Sequence, residues 1–279
     1  MACSASSSGV SVAFFDTGLA TPTRITGSVT VNCTRSDLVN DPATFYVALG
    51  VTSPNTTNQD MGRARLVGGA SQDTLDYWLY RDSAETLVWT DKSGSNGGRI
   101  TATLSFGSGA TASQTLSFTF TVPPASQQTR PVLKGTYQAA QTLRLYQSAT
   151  QADETTSNQP VAATSTFPVQ VTVPENCVLS SPPGNLAFTY TSFQTSASTA
   201  STSFAVTCMS NVAYTLSLDA TSGTLAGLAY TLGLSATSRV GTGVAQSATL
   251  TGTIAAGQAG VCSSTSCTAS AVRTLTVTY

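Results

Sequence analysis

The chain has 279 residues, of which 9% are charged and 41% hydrophobic, with a formal net charge of −1 and no histidine. Average soluble domains carry about 25% charged residues, so this composition excludes the basic stripe that a nucleic-acid partner needs. It also excludes intrinsic disorder, which requires low hydrophobicity and high net charge. The length is large for one β-sandwich and suits two domains.

In chain order, a first unit opens at Cys3, reads VSVAFFD, and closes a cysteine frame at Cys33 in TRITGSVTVNC. TFYVAL, LDYWLY, ITATLSF, TLSFTFTV and TLRLY follow, each alternating apolar and polar residues as half-buried strands do. Ser148 to Thr166 is polar, carries no strand signal and reads as a loop or linker. FPVQVTV comes next, with Phe167, Val169, Val171 and Val173 on one face. A second unit opens at Cys177, reads NLAFTY, and closes at Cys208 in STSFAVTC; YTLSLD, LAYTLGLS, ATLTGTI and TLTVTY complete it. The two frames are 30 and 31 residues long. Later segments answer one another too: DTLDYWLY and GLAYTLGL, QTLSFTFTVPPASQQ and ATLTGTIAAGQAG, TLRLY and TLTVTY. The first half is longer, near Asp37 to Pro42 and near Thr86 to Arg99. No segment keeps a 3.6-residue apolar stripe, so the expected class is all-β, built as sandwiches.

Six cysteines in a charge-poor β chain read as disulfides, which persist in oxidising compartments such as the periplasm and cell surface. A zinc site would need close cysteine pairs or histidine partners; Cys262 and Cys267 have neither a second close pair nor a histidine to join them. Sequence alone does not fix connectivity. The repeat makes Cys3–Cys33, Cys177–Cys208 and Cys262–Cys267 the economical pairing. No run is apolar and long enough to span a bilayer. No signal peptide is visible: Met1 ahead of ACSASSSG reads as a mature N-terminus behind an added start codon, so export is inferred from the cysteines.

Without histidine, Ser-His-Asp and Cys-His relays are impossible, and disulfide-bonded cysteines offer no thiolate. Asp153 and Glu154 are adjacent on the polar loop, where solvation explains them. Asp82 and Glu85 flank a hairpin turn, where an aspartate bonds its own backbone. Glycosidase chemistry needs two carboxyls converging across a cleft, and no segment brings such a pair together. SGSNGG lacks the lysine and helix of a phosphate loop. Of Tyr77, Trp78, Tyr80 and Trp89, one face is expected in the core; an exposed face would be a platform for stacking on a sugar. The expectation is a protein with neither enzymatic activity nor a cofactor.

SVTVNC, YWLYRD, GTIAAGQ and Arg273 to Tyr279, in this order and partly duplicated, resemble the spore coat protein U family, which contains the pilins of archaic, Csu-type chaperone–usher pili. Two such domains in one chain look like a tip adhesin subunit. The resemblance implies two immunoglobulin-like β-sandwich domains, the C-terminal one lacking its last strand. A pilin domain of this kind is completed by the N-terminal extension of a neighbouring subunit, through β-strand addition, or beforehand by a periplasmic chaperone. The implied organisation is an adhesin domain over residues 1–150, completed by strand 164–173; a linker over 151–163; and a pilin domain over 174–279. Phe167, Val169, Val171 and Val173 would face the first core as an internal donor strand, and Leu275, Val277 and Tyr279 would lie on the terminal strand beside the acceptor groove. The alternative for FPVQVTV is the first strand of the second domain. With only Met1 and Ala2 ahead of Cys3 and nothing after TLTVTY, the chain is expected to accept a strand without donating one. The implied partners are the chaperone, the outer-membrane usher, an adjacent pilin subunit and an abiotic or host surface. Export would run through the periplasm to the pilus tip, where the chain would serve attachment and biofilm formation. Candidate adhesive residues are Leu38, Val39 and Pro42 after the first frame and Ala152, Pro160 and Val161 after TLRLY, although Asp37, Asp41, Asp153 and Glu154 interrupt these loops. Rival readings are a structural spore-coat or surface-layer protein without an adhesive site and a secreted carbohydrate-active enzyme.

Overall fold

The computed structural model describes residues 1–14, 21–52, 61–91, 97–150, 160–262 and 266–279. The chain divides into two units, Met1–Pro174 (unit 1) and Glu175–Tyr279 (unit 2). Apart from a short 3₁₀ turn at Ala125–Gln127, the regular structure among these residues is all β.

Unit 1 contains β1 (Ala2–Ser6), β2 (Val10–Ala13), β3 (Thr23–Thr34), β4 (Thr44–Thr52), β5 (Met61–Leu66), β6 (Thr74–Tyr80), β7 (Val88–Trp89), β8 (Gly97–Gly98), β9 (Ile100–Ser105), β10 (Thr111–Val122), β11 (Gly135–Ser148) and β12 (Ala163–Val173). They join in the order β1-β3-β10-β6-β5-β11-β12-β2, with β4 between β11 and β9 on a branch. The two ends of this path, β1 and β2, are consecutive in the chain. The N-terminal segment therefore pairs with β3 first and with β12 afterwards, and so links both layers of the sandwich. Gly9, at φ +83°, makes the crossing; a Cβ there would fall 2.1 Å from the Pro168 carbonyl oxygen.

Alternation fills the core of unit 1. Trp89 lies 5.0 Å from Phe118 and stacks at 6.2 Å on Phe167. Its indole N–H donates to the Leu49 carbonyl at 2.7 Å, the partner a buried tryptophan needs. Tyr77 and Leu79 are buried, while Trp78 and Tyr80 are half-buried on the other face of β6.

Unit 2 contains β13 (Cys177–Ser181), β14 (Ser198–Cys208), β15 (Ala213–Leu218), β16 (Ser222–Leu225), β17 (Leu228–Leu234), β18 (Ser238–Val240), β19 (Ala245–Ile254) and β20 (Leu275–Thr278). One sheet runs β13-β14-β19-β17-β16 and the other β18-β15-β20. Its buried apolar residues gather around Phe204, Val206, Tyr214, Leu216, Tyr230, Leu250 and Ile254. Leu186, Phe188, Tyr190, Leu218, Leu232, Leu275 and Val277, at alternating positions in the same unit, stay half-buried.

The two units repeat their fastenings. Disulfides join Cys3 to Cys33 and Cys177 to Cys208, each pair directly opposite across the first strand of its unit and the neighbour it pairs with, β1 with β3 and β13 with β14; a third joins Cys262 to Cys267. Gln128 and Gln258 each clamp a neighbouring strand by its backbone. The Gln128 amide accepts from the Asp76 N–H at 2.7 Å and donates to its carbonyl at 3.1 Å. Gln258 does the same to Ala229, at 2.6 and 2.9 Å. The glutamine of the GTIAAGQ motif thus extends a strand ladder by one side chain.

NLAFTY alternates in burial yet forms no strand: residues 182–190 carry no ladder. Conversely β5, β7, β13, β16 and β18 form in segments without alternation, as neighbours of patterned strands. Phe167→Ala removes the ring that packs on Trp89 and Phe118, and should destabilise unit 1 by about 3–5 kcal/mol. In a denaturant titration only the unit 1 transition should move.

Candidate functional site

Strand β12 occupies a seat with two unlike walls. On one side β11 runs antiparallel, pairing Gln141 with Phe167, Ala139 with Val169, Tyr137 with Val171 and Gly135 with Val173. On the other side β2 runs parallel, from Val10 opposite Val169 to Ala13 opposite Thr172. Pro168, which has no N–H to donate, lies just ahead of that parallel ladder. Phe167, Val169, Val171 and Val173 are all buried; such side chains contribute roughly 1.5–3 kcal/mol each.

Unit 2 has both walls of this seat. Leu275 and Val277 of β20 pair with Leu218 and Leu216 of β15, as Leu143 and Leu145 of β11 pair with Val51 and Leu49 of β4. The other wall is 185–190, where half-buried Leu186, Phe188 and Tyr190 alternate with exposed Asn185, Ala187 and Thr189, as Val10 and Phe14 alternate with exposed Ser11 and Ala13. Among the described residues no strand lies between these walls. Where β11 extends over Gly135–Ser148, β20 covers only Leu275–Thr278, and 266–274 carry no ladder. Leu143 and Leu145 are buried under their neighbours; Leu275 and Val277 are not. Tyr279 falls just past the end of β20 and is 51% exposed, so the expected terminal strand stops one residue short of it. An unpaired edge beside a half-covered apolar face is a template for another strand.

The loops after β3 and β9 and the segment before β12 meet at one pole of unit 1. Register places them there: Thr34 is opposite Ala2 and Thr111, Ser105 opposite Thr44, and Ser148 opposite Tyr46. β12 leaves from the other pole. At the first pole the acids of TRSDLVNDPA staple a turn. Asp41 accepts the N–H groups of Ser36 and Asp37 at 2.8 and 3.0 Å. Asp37 accepts those of Val39 and Asn40 at 2.8 and 3.1 Å and the Asn40 side-chain amide at 2.6 Å. Arg35, stacked over Phe106, supports the turn through the Gly109 carbonyl at 3.0 Å. With the acids facing the backbone, Leu38 and Val39 project outward, 55% and 90% exposed. Pro42 is half-buried, Pro160 and Val161 are exposed at the same pole, and Ala152, Asp153 and Glu154 lie outside the described residues.

The other candidates are structural. Asp82 accepts the Thr86 and Leu87 N–H groups of its own turn. Glu85 accepts Arg24 and Thr121. Sequence reasoning missed Asp91, whose carboxylate accepts Arg144 at 2.8 Å and the Tyr146 hydroxyl at 2.7 Å, with Arg99 packed 3.5 Å over the Tyr146 ring. These partners are distant in sequence and leave no local pattern. Among the described residues no cluster of three His, Cys, Asp or Glu side chains is placed to hold a metal.

The model of the spore coat protein U domain matches residues 1–143 and again 163–278. The chain belongs to the spore coat protein U family. The second match begins at residue 163, so β12 goes with the second copy by sequence and with unit 1 by packing. Among solved structures, the chain is similar to a chain of the CsuC–CsuE chaperone–tip adhesion subunit pre-assembly complex from the archaic chaperone–usher Csu pili of Acinetobacter baumannii: 16% identity over all of both chains, TM-score 0.54. Other likenesses are to the CupB6 tip adhesin of Pseudomonas aeruginosa, 12% identity over 91% of this chain and 87% of that one, TM-score 0.39, and to the CooA pilin of enterotoxigenic Escherichia coli, 13% identity over 62% and 99%, TM-score 0.39. No curated protein matches in sequence.

The stapled turn is acid-sensitive. Donation by the Asn40 amide, first among its causes, lowers the Asp37 pKa, and the Asp37 N–H lowers that of Asp41. Groups with depressed folded pKa values stabilise the turn fully above the ordinary aspartate value of about 3.9, and that contribution is lost as pH falls through the depressed values. Amide resonances of Ser36, Asp37, Val39 and Asn40 should therefore shift together in NMR titrations, with midpoints below the ordinary range. Midpoints at or above it would dismiss the staple.

Proposed function

We propose that the chain is the two-domain tip adhesin of an archaic chaperone–usher pilus. Unit 1 is completed by β12 within the chain and carries the adhesive pole. Unit 2 takes a strand into the seat between β20 and 185–190, first from a periplasmic chaperone and then from the adjacent pilin delivered by the outer-membrane usher. The observation that carries this reading is the displacement of one strand: β12 opens the second family match yet completes the core of unit 1. That is the arrangement strand donation leaves in a fibre, here between two domains of one chain. The matching but unfilled walls in unit 2 supply the acceptor. Domain limits follow from this: residues 1–150 with 163–173 make the adhesin domain and 174–279 the pilin domain.

At the adhesive pole, Leu38 and Val39 are the leading contacts, with Pro160 and Val161 beside them. Exposed apolar patches on soluble domains mark binding surfaces, and a chain with so few charges has little electrostatic means of finding a target. The surface bound is accordingly apolar, abiotic or host, and its contact with the tip begins biofilm formation at the cell exterior.

Deleting residues 163–173 should abolish the cooperative melting of unit 1, and a synthetic peptide of that sequence should restore it. Unchanged melting after deletion would sink the internal-donor reading. Replacing both Leu38 and Val39 by serine should reduce retention of the folded protein on hydrophobic beads several-fold with melting unaltered; retention equal to the parent would remove these residues from the adhesive surface.

A further inference from the structure

We propose that the strand seat of unit 2 selects its occupant by charge, and that the side chain an incoming strand sets opposite Arg273 is a carboxylate. This rests on strand acceptance by unit 2 and specifies the partner's sequence at one position.

Register identifies the position. Leu275 and Val277 stand on β15 as Leu143 and Leu145 stand on β4, so Arg273 takes the place of Gln141. Gln141 is paired with Phe167 of β12, and directly opposed residues in an antiparallel pair point to the same face. In unit 1 that face is neutral, and Phe167 packs there against Trp89 and Phe118. In unit 2 it holds a guanidinium. Arg273 lies 5.6 Å from the centre of the Tyr230 ring, donates to the Ser222 carbonyl at 3.4 Å and stands 4.0 Å from Asp219 Oδ2. Asp219 Oδ1 is taken by the N–H groups of Ala220 and Thr274.

Two donors remain without acceptors: Arg273 Nε and the hydroxyl of Tyr230, a residue 4% exposed. A strand closing over this face removes water from the guanidinium and leaves it one loose ion pair and one long hydrogen bond. Burying a charge so poorly partnered is unfavourable. A carboxylate at the opposed position supplies acceptors for both donors in charge-assisted hydrogen bonds. A phenylalanine there, as on β12, supplies neither. The seats of the two units are therefore not interchangeable, and a β12 from another copy of this chain is a poor occupant of unit 2.

The test uses the full chain and two synthetic peptides, one copying residues 163–173 and one identical except for glutamate in place of the phenylalanine. Binding to unit 2 is read by titration and by amide protection at Leu275 to Thr278. The glutamate peptide should bind about tenfold more tightly. Arg273→Met should reverse the order, and Arg273→Lys should keep it. Equal affinities in the parent chain, or an order that Arg273→Met leaves unchanged, would overturn the charged subsite while strand acceptance stands. Protection by neither peptide, alongside failure of the peptide rescue of unit 1, would overturn strand acceptance and this proposal with it. If Arg273→Met does not fold, the two peptides on the parent chain decide alone.

Discussion

A strand edge beside an apolar face must be paired, and this constraint organises the whole chain. An extended segment presents N–H and C=O groups that lose water when its face is covered, so each needs a ladder partner. β12 meets the requirement twice, against β11 and against β2. Its presence explains why β11 is 14 residues long, why Val10–Ala13 form a strand, and why Leu143 and Leu145 are buried. Where no described strand fills the corresponding place, the same elements shrink. β20 keeps only the four residues that β15 holds, NLAFTY has no ladder, and Leu275 and Val277 stay half-covered. One strand accounts for these differences between two copies of one fold.

The features repeated in both units are those that fix the walls of the seat. A disulfide ties the first strand to its neighbour in each, at Cys3–Cys33 and Cys177–Cys208. A glutamine clamps the central hairpin strand at Asp76 and at Ala229. A tyrosine ring packs on a glycine of the paired strand, Tyr77 on Gly62 and Tyr230 on Gly223, where a Cβ would collide with it. None of these depends on an occupant. Walls set in advance lower the ordering entropy that an incoming strand must overcome, which on the proposed reading suits a seat that changes occupants.

Much of the fold was legible because alternation records burial of one face, and every segment with strict alternation from SVTVNC to TLTVTY, except NLAFTY, lies in a strand. NLAFTY is the exception because alternation reports the face and says nothing of the ladder. β5, β13 and β16 escaped notice for the opposite reason: they gain a ladder from a patterned neighbour without alternating themselves. The polar details were least legible. Asp37 and Asp41 read as interruptions of an apolar loop, yet they turn inward to the backbone and expose Leu38 and Val39. Arg273 passed as one residue of a terminal strand motif; its significance needs the register of β20 on β15 and the unpaired Tyr230 hydroxyl across the core.

Strand direction links the two candidate sites. β12 runs antiparallel to β11, entering beside the Leu38–Val39 turn and leaving at Val173 from the opposite pole. A strand seated antiparallel to β20 in the same sense enters beside Thr278 and leaves beside Leu275. On the proposed reading, the body that follows an incoming strand is joined to it at the Leu275 end of β20. Antiparallel pairing alone, applied once inside the chain and once at the proposed acceptor, fixes at which end of each seat a strand enters and at which it leaves.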